Sequence, residues 1–167
     1  MNKKDKKNKV FTLVELLVVV AILGILTGVV VVSVGDAVAR ARDSRRLADV
    51  RQLASTLELD NATFGPASTT GCAGPNASTT GCAIPNRPNI NALFSRVIDP
   101  SGAATPCTST NVACQYSISR EGGAANPSTN DYRICFRLET DPDGVGGPLQ
   151  AGMNRIVTGA RFIATCP

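Results

Sequence analysis

The sequence predicts an α+β chain: a long N-terminal helix, membrane-inserted in its first half and amphipathic in its second, packed on a small antiparallel β-sheet. Three observations carry this. Val10–Val34 has 19 apolar residues in 25. No proline interrupts the chain before Pro66. Beyond residue 111, apolar and polar residues alternate with the period of strands.

The whole-chain figures hide an uneven distribution. Across 167 residues, 17 Lys and Arg face 13 Asp and Glu, for a net charge of +4 and a pI near 8.9. Every lysine, from Lys3 to Lys9, lies in the first nine residues, and every later cation is Arg. There is no His and no Trp. The commonest general base and metal ligand are therefore missing, which counts against most hydrolases and zinc enzymes. No Ser-His or Cys-His pair and no phosphate-cradling Gly-Lys loop can be assembled, and the expectation is a protein without enzymatic activity and without a cofactor. Six Cys fit an oxidising, extracytoplasmic compartment.

From Leu16 to Val34 no charge occurs. As a helix at roughly 1.5 Å per residue this run matches a hydrocarbon core of about 30 Å. A secretory signal peptide would have a shorter apolar core and a small-residue cleavage site, and a small soluble domain cannot cover a helix apolar on all sides. With its lysines in the cytoplasm, the segment obeys the positive-inside rule. Glu15 stands out, because a carboxylate in hydrocarbon marks function and needs a partner; no cation follows it before Arg40.

These residues carry a resemblance. A Lys-rich leader followed by Phe11-Thr12-Leu13-Val14-Glu15-Leu16-Leu17 and the apolar run to Leu26 resembles the class III signal of type IV pilins and pseudopilins, over residues 3 to about 59. The resemblance implies a leader at 1–10, cleavage by a prepilin peptidase between Val10 and Phe11, N-methylation of Phe11, and a Glu15 that pairs with the terminal amine of a neighbouring subunit during assembly. It also implies a pilin-like fold. Val10 stands where the family usually has Gly, so that either the peptidase is permissive or maturation is slow or absent. Val32 stands where many pilins have Pro. Gly24, Gly28 and Gly35 supply helix soft points, and Gly24-x-x-x-Gly28 is a small-xxx-small pattern open to close helix packing or to ordinary glycine frequency.

The transmembrane and assembly helix is assigned to 11–35 and its amphipathic continuation to 36–60. There Val38, Ala41, Leu47, Val50, Leu53 or Ala54, and Leu57 form an apolar stripe. Asp36 with Arg40 and Arg45 with Asp49 are spaced for i,i+4 pairs. Arg40, Arg42, Arg45 and Arg46 read as a solvated or subunit-pairing face rather than a nucleic-acid patch, since acids intervene and no aromatic is interleaved.

The head, 61–167, opens with a loop at 61–89 rich in Ala, Ser, Thr, Gly, Asn and Pro. It contains a ten-residue tandem repeat, 67–76 and 77–86, whose copies differ only at Gly74 and Ile84. Two copies are too few for a solenoid. Asn61-Ala-Thr63 and Asn76-Ala-Ser78 match the N-x-[ST] pattern by the composition of the stretch. A short helix is expected at Asn89–Ile98, ending before Pro100. The sheet is assigned to 112–163. It comprises Val112–Ser119 paired with Tyr132–Glu139, and a third strand at Arg155–Ile163. Strand alternation puts Cys114 on the apolar face and Cys135 on the polar one, which disfavours a bridge between them. Of fifteen possible connectivities, the favoured set is Cys72 with Cys82, Cys107 with Cys114, and Cys135 with Cys166. Asp141-Pro-Asp143-Gly144 reads as a turn, two carboxylates being too few for calcium, which remains the alternative there.

The expected function is that of a structural subunit of a type IV pilus-like surface filament, serving adhesion, motility or DNA uptake. It would be a membrane precursor with a cytoplasmic N-terminus and then an extracellular homopolymer, its partners being the prepilin peptidase and methyltransferase and the assembly machinery. The alternatives are a secretion pseudopilin and a signal-anchored binding domain that never polymerises.

Overall fold

A computed structural model of the chain describes residues 11–108, 111, 113–142 and 147–166, without the side chains of 29–33. It is α+β, a long N-terminal helix with a five-stranded antiparallel sheet. The chain divides into two compact units, Met1–Val38 and Ala39–Pro167.

Helix α1 covers Leu13–Phe64. It outruns the expected end at residue 60 because Asn61, Ala62 and Thr63 break the composition of the helix but not its hydrogen bonding. The stop is stereochemical. Gly65 sits at φ +81° with its N–H on the Asn61 carbonyl at 2.9 Å, and Pro66 follows, which is the glycine-then-proline helix ending.

Within the second unit, the buried face of α1 is Asp43, Arg46, Val50, Leu53, Ala54, Leu57 and Asp60, a three- and four-residue spacing. Only the middle of this face is the predicted apolar stripe. Val38 and Ala41 are exposed and Leu47 is half-buried. The first buried positions of this face are charged. Arg46, read from the sequence as part of a solvated or pairing face, is only 4% exposed; period alone cannot tell a buried ionic seam from a wet one.

Helix α2, Pro88–Arg96, starts on a proline at its first turn, where the missing N–H costs nothing. It buries Ile90 and Phe94, one turn apart, in the core.

The sheet runs β1 (Ala77–Ser78), β2 (Ser117–Ser119), β3 (Arg133–Leu138), β4 (Gly152–Val157) and β5 (Arg161–Ala164), each antiparallel to the next. Two expectations are corrected here. The single third strand at Arg155–Ile163 is a hairpin. Thr158, Gly159 and Ala160 form its turn, Gly159 and Ala160 take positive φ, and Val157 pairs with Arg161. The Thr-Gly step was the turn signal that the alternation overran. The region 61–89, read as loop, supplies β1 and a 3-10 turn at Thr79–Gly81.

The core lies between α1, α2 and one sheet face. Tyr116, Ile118, Tyr132, Ile134, Phe136, Leu138 and Ile156 meet Val50, Leu53 and Leu57 there, with Ile84, Ile90 and Phe94. On the opposite sheet face a smaller cluster gathers Cys107, Cys114, Cys135 and Cys166 with Met153 against them. Cys114 therefore does not share the core face with Tyr116 and Ile118. Regular strand begins only at Ser117, and before it Gln115 bridges Pro106 in parallel, so counting alternate residues back to Cys114 carries no facing information. Val112 lies outside the described residues.

Candidate functional site

At the N-terminal end, helix α1 is started by Thr12. Its hydroxyl accepts the Glu15 N–H at 3.3 Å and its carbonyl accepts the Leu16 N–H at 3.3 Å. Thr12-x-x-Glu15 is the spacing of a capping box, and it places the Glu15 carboxylate in the first turn, where the helix dipole favours negative charge. Phe11 immediately precedes the cap. Val10 lies outside the described residues.

Downstream, the apolar side chains of the first part of the helix are exposed. From Phe11 to Leu26, exposure of the large apolar side chains runs from 46% at Val19 to 79% at Leu13. A Cβ added at Gly24, Gly28 or Gly35 would meet no atom within 4 Å, so each leaves an open notch on the helix surface. Among the described residues, no helix is long and apolar enough to cross a membrane. The uncharged run read from the sequence, Leu16–Val34, includes 29–33, whose side chains are not among those described.

The second unit holds a charged constellation that sequence reasoning missed. Arg46 donates from Nε to Asp99 Oδ2 at 2.8 Å, from Nη2 to Asp99 Oδ1 at 3.1 Å, and from Nη1 to Asp43 Oδ1 at 2.9 Å and Glu139 Oε1 at 2.6 Å. Burial works against its charge, but the bonds to Asp99 and Glu139 prevail and raise its pKa further. Arg42 adds a two-point bond to Glu139. The Glu139 carboxyl is consequently held down at about 2, chiefly by the bond from Arg42 and then by Arg46, against the cost of burial. Asp43 completes the junction. Its carboxylate accepts the backbone N–H of Glu139 at 2.9 Å and of Thr140 at 2.8 Å, and the Thr140 hydroxyl at 2.8 Å. One acid on α1 thus fixes the chain just past β3, and one arginine on α1 fixes Asp99 after α2. The available signal was the acid-arginine spacing of Asp43 and Arg46 at i,i+3, but the distant partners were not visible from it.

Two further polar contacts join α1 to the sheet. The Tyr116 hydroxyl donates to Asp49 at 3.0 Å and the Tyr132 hydroxyl to Glu58 at 2.9 Å. Burial pushes both phenols up, as does the carboxylate beside each. Burial also raises Asp49, against the opposing bond from Tyr116. Arg45 lies 3.9 Å from Asp49.

The six cysteines form three disulfides, Cys72–Cys82, Cys107–Cys114 and Cys135–Cys166. The first joins equivalent positions of the tandem repeat, and the copies share some local contacts although only the second holds a strand and a 3-10 turn. Thr69 and Thr79 each direct both N–H and hydroxyl to one carbonyl, of Pro127 and Tyr116 respectively. Asn76 and Asn86 both take the left-handed conformation. At the one position where the copies differ in sequence, Ile84 is fully buried in the core and Gly74 is half-exposed.

In the turn considered for calcium, one Asp141 oxygen accepts the Ala151 N–H, and Asp143 lies outside the described residues. Among the described residues, no group of three or more His, Cys, Asp or Glu is placed to hold a metal. Of the two sequon asparagines, Asn61 has its side-chain oxygen buried. The Asn76 oxygen accepts from Ser119 at 3.3 Å and Arg133 at 3.1 Å.

Comparison with known families finds one match. Residues 6–31 match the prokaryotic N-terminal methylation motif, the class III signal of type IV pilins. No curated protein and no solved structure matches the chain.

Proposed function

We propose that the chain is the structural subunit of a type IV pilus-like surface filament, made as a membrane precursor. The observation that carries this reading is the uncovered apolar helix from Phe11 to Leu26, which coincides with the methylation motif at 6–31. Apolar surface on that scale requires an apolar partner. In the precursor the partner is the bilayer, with Lys3 to Lys9 held on the cytoplasmic side. In the filament it is the same helix of other copies, joined head to tail in contacts that do not close.

The motif supports the following maturation. A prepilin peptidase cuts between Val10 and Phe11, and the new amine of Phe11 is methylated. Glu15 stands near the edge of the hydrocarbon, where a charge costs less than the roughly 2.5–3.5 kcal/mol of the bilayer centre but still needs a partner, and it is drawn to the Phe11 amine of a neighbour. Thr12 holds the first turn so that Phe11 and Glu15 stand at one end of the helix. The notches at Gly24 and Gly28 admit close approach of a second helix.

The test is Glu15→Ala in the full chain. Membrane insertion should be unchanged while the surface filaments seen by electron microscopy are lost or strongly reduced. Filaments in normal yield would overturn the assembly role of Glu15.

A further inference from the structure

We infer that the outer face of the sheet, opposite the core, carries a binding site for a tetrahedral oxyanion, a phosphate or sulfate group, held between Arg137 and Arg155. The strand register brings them together. Cys135 pairs with Arg155, and Arg137 with Met153, across β3 and β4. These four residues form one cross-strand quartet on a single face, with the two arginines on its diagonal, about 7–8 Å apart at Cα and within reach of each other's long side chains. The other two corners, Cys135 and Met153, pack together in the sulfur cluster and give the quartet an uncharged floor.

Neither arginine has a counter-charge. Both are half-buried. Among the described residues, the Arg155 side chain makes no hydrogen bond and no ion pair; its Nε is buried without a partner, and its two Nη groups, also unbonded, reach solvent. Arg137 donates only from Nη1, to the Asn111 carbonyl at 3.0 Å, which leaves Nε and Nη2 open to solvent. The next charge along this face is a further cation, Arg133, on the other diagonal from Arg155. Arg133 donates to Ser119 at 2.8 Å and to Asn76 at 3.1 Å, and burial and then the charge of Arg155 push its guanidinium down. Like charges crowded on a half-buried face are unfavourable, and an anion that settles among them relieves the cost. Access is open. Arg137 and Met153, with Gln150 and Thr165, line an opening of about 410 Å³ that has no carboxylate in its wall. The Asp141 carboxylate, which adjoins this wall at Ala151, is bonded to that residue's N–H. The donor count selects the anion. One guanidinium fork takes both oxygens of a carboxylate, whereas a phosphate or sulfate group has oxygens to divide between two arginines. The site lies wholly in the second unit and does not rest on the filament reading.

The test uses the isotope-labelled full chain in a micelle of uncharged detergent, titrated with inorganic phosphate, sulfate and acetate at an ionic strength held constant with chloride, and reads the arginine side-chain N–H resonances by NMR. Phosphate and sulfate should shift the Arg137 and Arg155 resonances saturably, with a Kd in the millimolar range, and raise the melting temperature. Acetate should bind about tenfold more weakly, since it offers one fork's worth of oxygens. Arg137→Gln and Arg155→Gln should each weaken phosphate binding about tenfold, the loss of one charge-assisted contact, while the melting temperature without phosphate stays unchanged or rises. Arg161→Gln, on the same face but 3.7 Å from Glu121, should leave phosphate binding unchanged. Glycerol phosphate separates the two sources of the group: it binds at least as well as the inorganic ion where the phosphate belongs to a larger ligand, and more weakly where the free ion is bound, and either result supports the site. No saturable shift at tens of millimolar phosphate, acetate binding as well as phosphate, or binding indifferent to Arg137→Gln and Arg155→Gln would overturn the inference.

Discussion

Arg46 is surrounded by three carboxylates at a position the helix period assigns to the core, and its removal is costly for a reason beyond lost contacts. Arg46→Leu fills the space but leaves Asp43 and Asp99, both buried, without their cation. Breaking a buried pair from one side costs about 3–5 kcal/mol. Urea unfolding of the full chain in detergent, followed by the near-ultraviolet signal of the buried Tyr116 and Tyr132, should show a loss of that size. Glu139 supplies the acid response of the same cluster. Its folded pKa of about 2 lies below its ordinary 4.5. The stability it contributes is therefore complete above about 4.5 and disappears as pH falls toward 2. At a side chain 31% exposed, screening leaves about 1 kcal/mol of that contribution. Asp49 acts in the opposite sense, since its raised pKa means that acid relieves an unfavourable buried charge. Glu139→Gln should accordingly flatten the loss of stability between pH 4.5 and 2, and an unchanged slope would place the acid response elsewhere.

At the scale of elements, the three disulfides should differ in weight. They close separations of 7, 10 and 31 residues, and the loop-entropy account makes the longest worth about 1 kcal/mol more than the shortest. Paired Cys→Ser replacement of Cys135 and Cys166 should thus lower the urea midpoint more than replacement of Cys107 and Cys114; the reverse order would assign the difference to packing in the sulfur cluster. The repeat has its own sensitive point at Gly71. At φ +77°, its missing Cβ would lie 2.1 Å from the Gly81 carbonyl oxygen, so Gly71→Ala should cost more than about 1 kcal/mol in the same unfolding assay. How far such features were legible depended on their range. The helix, its apolar first half, α2 and the β2–β3 pairing were readable because each is written in local period or composition. The β4–β5 turn was present as a Thr-Gly step but was masked by alternation on both sides. The Arg46 cluster was not readable, because Asp99 and Glu139 lie 53 and 93 residues away and no local pattern encodes which distant acid a buried arginine will meet. The N-terminal segment was the most legible part, since its motif is linear.

For the whole molecule, the decisive quantity is where the charge goes if the proposed cut removes the leader. The full chain carries 17 Lys and Arg and 13 Asp and Glu. The proposed cut takes five Lys and Asp5 with it, which leaves 12 of each sign (17 − 5 and 13 − 1). The basic pI of the precursor is then a property of its topology signal and not of the exposed subunit. The same arithmetic leaves a mature chain with no Lys and no His. Above the carboxylate range its charge should be insensitive to pH until the alkaline region, where burial holds both phenols up, apart from the terminal amine. A labelling experiment follows, because the mature subunit has one amine, at Phe11, whereas the precursor has six, at Met1 and the five leader lysines. Treating sheared surface protein and membrane-held precursor with an amine-reactive mass tag should give at most one tag per chain in the first and several in the second. Tags on Lys3 to Lys9 in the surface fraction would show that Val10–Phe11 is not cut, and the uncovered helix would then serve as an anchor for a chain that keeps its basic leader.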